Sequence, residues 1–356
     1  MVARNRLAEG VGLIAGVAAL AMGGVAMGLE LERRIVSKRI PRSTQSELEK
    51  FFSLRSDGPE VTTGDGVVLH TEVDEGPADD FTLVLVHGYA LSMDCWHFQR
   101  KHYRGKVRQV LYDLRSHGRS TRSARERCRL DQLAVDLEQV LDEVAGDGPV
   151  VLVGHSMGGM TIMRLAQSRP ELFGSRVVGV GLLHTSAGHM ADHSPIRGLP
   201  GRTFSRVAEP LMASLNRIPE LVEGARQAGS DLGYVVTRRM AFASEVPSSY
   251  VEYVSEMLAG TPLEVVADFY PAFHELDEYA ALAGIGVVPT VVVGGEDDMF
   301  TPVAHMDKIT EQLPDAVSLR LQKCGHLGMI EHYEAVNEVL DDLLDRVREQ
   351  LASPRR

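Results

Sequence analysis

The chain has 356 residues, of which 44% are hydrophobic and 24% charged, with a formal net charge of −12. These are the proportions of an ordinary folded protein, and the length accommodates one large α/β domain with an inserted subdomain. The acidic balance, with no stripe of basic and aromatic residues, leaves no electrostatic footprint for nucleic acid. Three cysteines, Cys95, Cys128 and Cys324, form neither an even disulfide framework nor a metal-ligand spacing. There is no H-E-x-x-H, no G-x-G-x-x-G and no P-loop, so neither a metal nor any other cofactor is expected.

Residues 10–29 carry no charge and lie between Glu9 and Glu30, a length that just suffices to cross a bilayer as a helix. Arg4 and Arg6 precede the run, and Arg33, Arg34, Lys38, Arg39 and Arg42 follow it. The heavier positive flank on the C-terminal side predicts a membrane anchor with the remainder of the chain in the cytoplasm. The alternative is a cleaved secretory signal, with Arg4 and Arg6 as its basic start and Ala19-Leu20-Ala21 as a small-residue cleavage site. Residues 1–29 are thus expected as anchor or signal, and residues 30–57 as a polar, basic connector.

Val61-Thr62-Thr63 and Val67–Val73, separated by Gly64-Asp65-Gly66, read as an opening β-hairpin. Strands are expected at Leu83–Val86, Val107–Tyr112, Val150–Val153, Val177–Leu183 and Val288–Val293. Leu133, Leu137, Val140, Leu141 and Val144 mark one face of an amphipathic helix. Tyr333–Leu351 supplies a closing helix. This alternation predicts a mainly parallel sheet with helices on both faces, its first part over 58–186 and its second over 285–352. Between them, residues 187–284 hold helix-like stretches at Val207–Asn216, Pro219–Ala228, Ser249–Ala259 and Pro262–Phe269.

Five segments carry chemistry. Gly154-His155-Ser156-Met157-Gly158 follows an apolar strand and precedes a helix, a setting in which a tight turn pushes a serine hydroxyl towards substrate. Leu83–Val86 ends in His87-Gly88-Tyr89, where the Tyr89 N–H could join that of Met157 to hold an oxyanion. The late strand Val291-Val292-Val293 ends in Glu296-Asp297-Asp298. Asp298 is the expected carboxylate partner of a histidine, with Asp297 in reserve. His326, within Cys324-Gly325-His326-Leu327-Gly328, is the expected general base. The order Ser156, Asp298, His326 is that of a triad on this kind of sheet.

With Asp113-Leu114-Arg115-Ser116-His117-Gly118-Arg119-Ser120 as the fifth segment, the chain resembles the α/β-hydrolases of the bacterial esterase, lipase and haloperoxidase-like type over residues 60–350. Ser116 stands where that family usually has glycine. The resemblance implies that 187–284 forms a helical cap over the active site. Met212, Leu215, Val235, Met240, Phe242, Met257, Leu258, Phe269 and Tyr270 are its candidate pocket residues. It implies hydrolysis of a carboxylic ester of a small or medium apolar molecule through an acyl-enzyme. The same triad would also serve carbon–carbon bonds, lactones, thioesters, cofactor-free perhydrolysis, or a slow-turnover ligand-binding homologue. Serine as nucleophile argues against the haloalkane dehalogenase and epoxide hydrolase branches.

Overall fold

The computed structural model describes residues 43–77, 81–192 and 230–353, together with 201 and 203. A short antiparallel hairpin, β1 (Val61–Thr62) with β2 (Val68–Leu69), precedes the main sheet. That sheet has seven strands: β3 (Thr71–Asp74), β4 (Thr82–Val86), β5 (Arg108–Tyr112), β6 (Val150–His155), β7 (Val177–Leu183), β8 (Thr290–Gly295) and β9 (Val317–Leu321). Their spatial order is β3-β5-β4-β6-β7-β8-β9, and every pair is parallel except β3 with β5. Every residue of β4, β6, β7 and β8 is buried, as an apolar run covered on both faces must be.

Successive side chains along a strand point to opposite faces, and two apolar layers result. Val84, Val86, Val150 and Leu152 pack under α3 (Leu130–Val140) and α4 (Met157–Ser168). Leu83, Leu85, Val151 and Val153 pack under the long C-terminal helix Tyr333–Ala352 and under α2 (His97–Tyr103). The α3 helix passes into a single π turn, Leu141–Ala145, and stops at Gly146, whose φ is +80°. Strand β8 starts after Pro289, two residues later than its apolar run suggests. Proline has no N–H for the ladder, and the Pro289 carbonyl still accepts from the Val180 N–H at 3.0 Å.

From β4 the chain steps to β5 on one side, then crosses to β6 on the other side of β4. The winding therefore reverses between β4 and β6, where open parallel sheets form a crevice beyond their carboxyl ends. Val86 is in register with Gly154, His155 with Leu183, and Leu183 with Val293. His87, Ser156, His184 and the loop after Gly295 consequently emerge at one level.

Between β7 and β8 the described chain is helical: α5 (Ser230–Ala241), α6 (Ser248–Gly260), α7 (Leu263–Phe269) and the short α8 (Leu282–Ile285). The helices expected at 207–216 and 219–228, with Met212 and Leu215, lie outside the described residues. So does the apolar run 10–29. Among the described residues no helix is long and apolar enough to cross a membrane.

The end of the stretch expected as a connector is packed against the body rather than free. Residues Gln45–Phe51 form α1, opened by a capping box in which the Thr44 N–H donates to Glu47 at 2.8 Å. The Phe51 ring stacks on Tyr253 of α6 with centroids 4.8 Å apart. The Ser43 N–H donates to the Glu252 carboxylate at 3.2 Å. Leu48, Phe51 and Phe52 are the apolar handles of this stretch, packed against the second apolar layer.

Candidate active site

Ser156 joins β6 to α4 with φ +51° and ψ −116°, a backbone conformation that side-chain-bearing residues adopt only when their surroundings hold it. Those surroundings are explicit. Its N–H donates to the Leu183 carbonyl at 2.9 Å. Its own carbonyl accepts from the Met160 N–H at 3.1 Å and the Thr185 hydroxyl at 2.7 Å. Gly154 lies against the backbone of Gly158. A Cβ on Gly158 would sit 2.1 Å from the Val86 carbonyl oxygen, so only glycine lets α4 start this close to the end of β4.

Three elements then meet. His326 Nε2 is 3.0 Å from Ser156 Oγ, and His326 Nδ1 lies 2.8 and 3.1 Å from the two carboxylate oxygens of Asp298. The carboxylate is fully engaged. Oδ1 accepts from the Phe300 and Thr301 N–H groups at 2.8 and 2.9 Å, and Oδ2 accepts from the Thr301 hydroxyl at 2.9 Å. Burial pushes the pKa of Asp298 up, but the electrostatic interaction with His326 and the hydrogen bonds from His184 and His326 outweigh it. They hold the group ionised, well below the usual carboxylate range. Asp297 is exposed, and its N–H donates to the Cys324 carbonyl at 3.1 Å. It takes no part in the chain of hydrogen bonds.

The remaining motif residues are buried around this chain. His155 Nε2 pairs with the His326 carbonyl at 2.9 Å, so it carries the proton and the ring is neutral. Burial, followed by the charges of His326 and His184, depresses its pKa well below that of a free imidazole. Gly88 lies against that ring. His87 Nε2 accepts from the Leu114 N–H at 2.9 Å; burial and the nearby His117 lower its pKa to about 3. Tyr89 lines the cavity above Ser156, and its hydroxyl donates to the Val266 carbonyl in α7. Met157 is the first residue of α4, where a helical N–H has no partner within its own helix. Ser116 has φ +66°, which explains why glycine is usual there, and its hydroxyl accepts from the Ser123 N–H at 2.9 Å.

Two residues at the site were not expected. Thr301 holds Asp298 through both its N–H and its hydroxyl. His184, directly after β7, places Nδ1 3.2 Å from Asp298 Oδ2. The available signal was position, because histidine at the carboxyl end of a buried parallel strand points to the functional edge of the sheet.

The hydroxyl of Ser156 opens into a cavity of about 390 Å³, within the range of roughly 300–1,000 Å³ usual for small-molecule sites. Val236 and Met240 of α5, and Val254 and Leu258 of α6, form part of its wall. Each pair is spaced i, i+4 and so lies on one helix face. Met240, Leu258 and Tyr270 line the cavity as expected. Val235, Phe242, Met257 and Phe269 do not; they are buried within the apolar layers.

His184, Asp298 and His326 bring possible ligand atoms within 4.8 Å of one another, but their facing atoms are hydrogen-bonded together. Cys324, Glu331 and His332 form a second such group. Its carboxylate accepts from the N–H groups of Ala243 and Gly325 at 2.8 and 2.7 Å. Burial keeps the Cys324 thiol protonated.

Residues 83–339 match the Alpha/beta hydrolase family. Over 257 residues the chain is 28% identical to the dihydrolipoyllysine-residue acetyltransferase component of the acetoin cleaving system of Pseudomonas putida, covering 72% of this chain and 61% of that protein. It thus spans about three fifths of that relative's length. It is also 28% identical over 285 residues to a 2-hydroxy-6-oxononadienedioate/2-hydroxy-6-oxononatrienedioate hydrolase of Paraburkholderia phymatum, covering 78% of this chain and 92% of that one. The solved structure of an esterase from a Rhodococcus species superposes with a TM-score of 0.65 at 20% identity, over 82% of this chain and 99% of that one. Fold, sheet order and family match agree, and the chain belongs to the alpha/beta hydrolase family.

Proposed function

We propose that the protein is a serine hydrolase that cleaves a carboxylic ester of a small or medium apolar molecule through an acyl-enzyme. The observation that carries this reading is the continuous hydrogen-bonded path from Ser156 through His326 to Asp298, opening into a largely apolar cavity. His326 Nε2 takes the Ser156 proton as Oγ attacks the ester carbonyl, and Asp298 holds the imidazole in the tautomer that can accept it. The oxyanion is received by the N–H groups of Tyr89 and Met157. His326 returns the proton to the departing alcohol. It next draws one from water, whose oxygen attacks the acyl group; as the acid leaves, His326 passes that proton to Oγ and restores the Ser156 hydroxyl.

The volume suits a medium acyl chain, and the methionines at 160, 190, 240 and 299 give a lining that adjusts to its shape. In this reading α5 to α7 act as a cap, and residues 10–29 hold the domain at a membrane with its catalytic part in the cytoplasm. Hydrolysis of chromogenic esters of graded acyl length tests the chemistry. Turnover with a defined optimum in chain length, lost in Ser156→Ala, is expected. A folded protein with no ester turnover, or one that retains it in Ser156→Ala, would overturn the reading.

A further inference from the structure

We propose that His184 is a positioning residue of the reaction: by donating its Nδ1–H to Asp298 it sets how strongly that carboxylate holds the proton of His326. The inference rests on the serine-hydrolase reading above. The contact is 3.2 Å to Oδ2, the same oxygen that takes His326 Nδ1 at 2.8 Å. The His184 side chain is completely buried, and its Nε2 has no hydrogen-bond partner among the described residues. Among the described residues, Asp298 is therefore the single hydrogen-bond partner of this imidazole. If the ring served only to fill space, an apolar side chain would do so without burying an unpaired nitrogen.

The geometry around the ring maintains that contact. His184 has φ +46°, a left-handed backbone of the kind that gathers at functional sites, and its N–H donates to the Val293 carbonyl at 2.8 Å. On the far side, a Cβ on Gly328 would lie 2.2 Å from His184 Nε2, so the chain beyond His326 closes directly against the ring. The titratable groups facing the Asp298 carboxylate are His155, His184, His326 and Cys324. Because Nδ1 faces a carboxylate, it carries the proton.

A donor shared with the carboxylate lowers its capacity to stabilise the imidazolium that forms on His326. Removing the donor therefore strengthens the hold of Asp298 on that proton. In His184→Leu the acid limb of the kcat/KM–pH profile should move up by about 0.5–1 pH unit. His184→Asn, whose side-chain N–H2 can take the place of Nδ1–H, should leave it near the original position. An acid limb that coincides in wild type and His184→Leu would overturn the proposal.

Nitrogen-15 spectra of histidine-labelled wild-type protein supply a test independent of turnover and of any variant's folding. They should show His184 as the Nδ1–H tautomer; a proton on Nε2 instead would overturn the proposal. Ester turnover that survives Ser156→Ala would count against the serine-hydrolase reading, while the tautomer would still report on His184.

Discussion

At the floor of the cavity both oxygens of Asp298 are hydrogen-bonded, and His326 is held between that carboxylate and Ser156. The walls are different: Val236, Met240, Val254 and Leu258 are held by packing alone, on helices spliced between two strands of the sheet. Directional bonds at strand ends hold Ser156, His326 and Asp298 in one fixed geometry, which the proposed chemistry needs. Apolar contacts on inserted helices set only a volume and a polarity. The contrast predicts that changes at the floor alter rate for every substrate, and changes at the walls alter which substrate is preferred.

The floor should break most completely at Ser156. Ser156→Ala is expected to lower kcat by on the order of 10⁶, with the melting transition preserved. Asp298→Asn comes next. Asparagine keeps an acceptor for the Phe300 and Thr301 N–H groups but turns an N–H2 towards the two imidazoles, so His326 is left in the wrong tautomer. A loss in kcat of about 10⁴ across all acyl lengths is expected. A loss confined to long esters would place Asp298 among the groups that bind substrate.

The walls sharpen the comparison from the other side. Leu258→Trp narrows the cavity from α6, and should cost long-chain esters roughly 10–100-fold in kcat/KM while sparing acetyl esters. Equal losses for both would mean that the wall helps to fix the reacting geometry.

A smaller effect concerns stability below neutral pH. His87 and His117 are buried, with pKa values lowered mainly by burial to about 3 and about 4 from an ordinary 6.5, and His155 is depressed as well. The unfolded chain takes up protons that the folded one excludes in this interval. Stability is therefore complete above pH 6.5 and falls as the pH drops towards 4. Scanning calorimetry should show the melting temperature declining by several degrees across that window. His117→Asn should reduce the slope, since its amide can still donate to the Arg115 carbonyl that His117 Nδ1 contacts at 2.9 Å. A flat profile would show that these rings are not held proton-free.

The same contrast separates what could be read from the sequence from what could not. Ser156, Asp298 and His326 each belong to a short local signal, a buried strand or a glycine-flanked turn with a reactive side chain, and the structure brings all three within hydrogen-bonding distance. The parallel sheet was legible for the same reason. His184 was legible only in its position at the end of β7; its contact with Asp298 was not, because that depends on β7 lying beside β8, a pairing across more than a hundred residues. The walls were legible in type and not in orientation. Met240 and Leu258 face the cavity, whereas Val235 and Met257, near neighbours on the same helices, are buried in the core. The apolar pattern of an inserted helix does not say which of two apolar faces meets the substrate. Phe51 was hidden in a polar stretch because its partner, Tyr253, lies far along the chain.

The central claim is that Ser156 becomes covalently acylated during turnover. Intact-protein mass spectrometry after rapid acid quenching of an ester reaction, followed by peptide mapping, tests it directly. The account predicts one acyl group per chain, located on Ser156, appearing with the first burst of product and absent from Ser156→Ala. Steady ester turnover with no adduct in the burst phase, or an adduct on another residue that persists in Ser156→Ala, would contradict it.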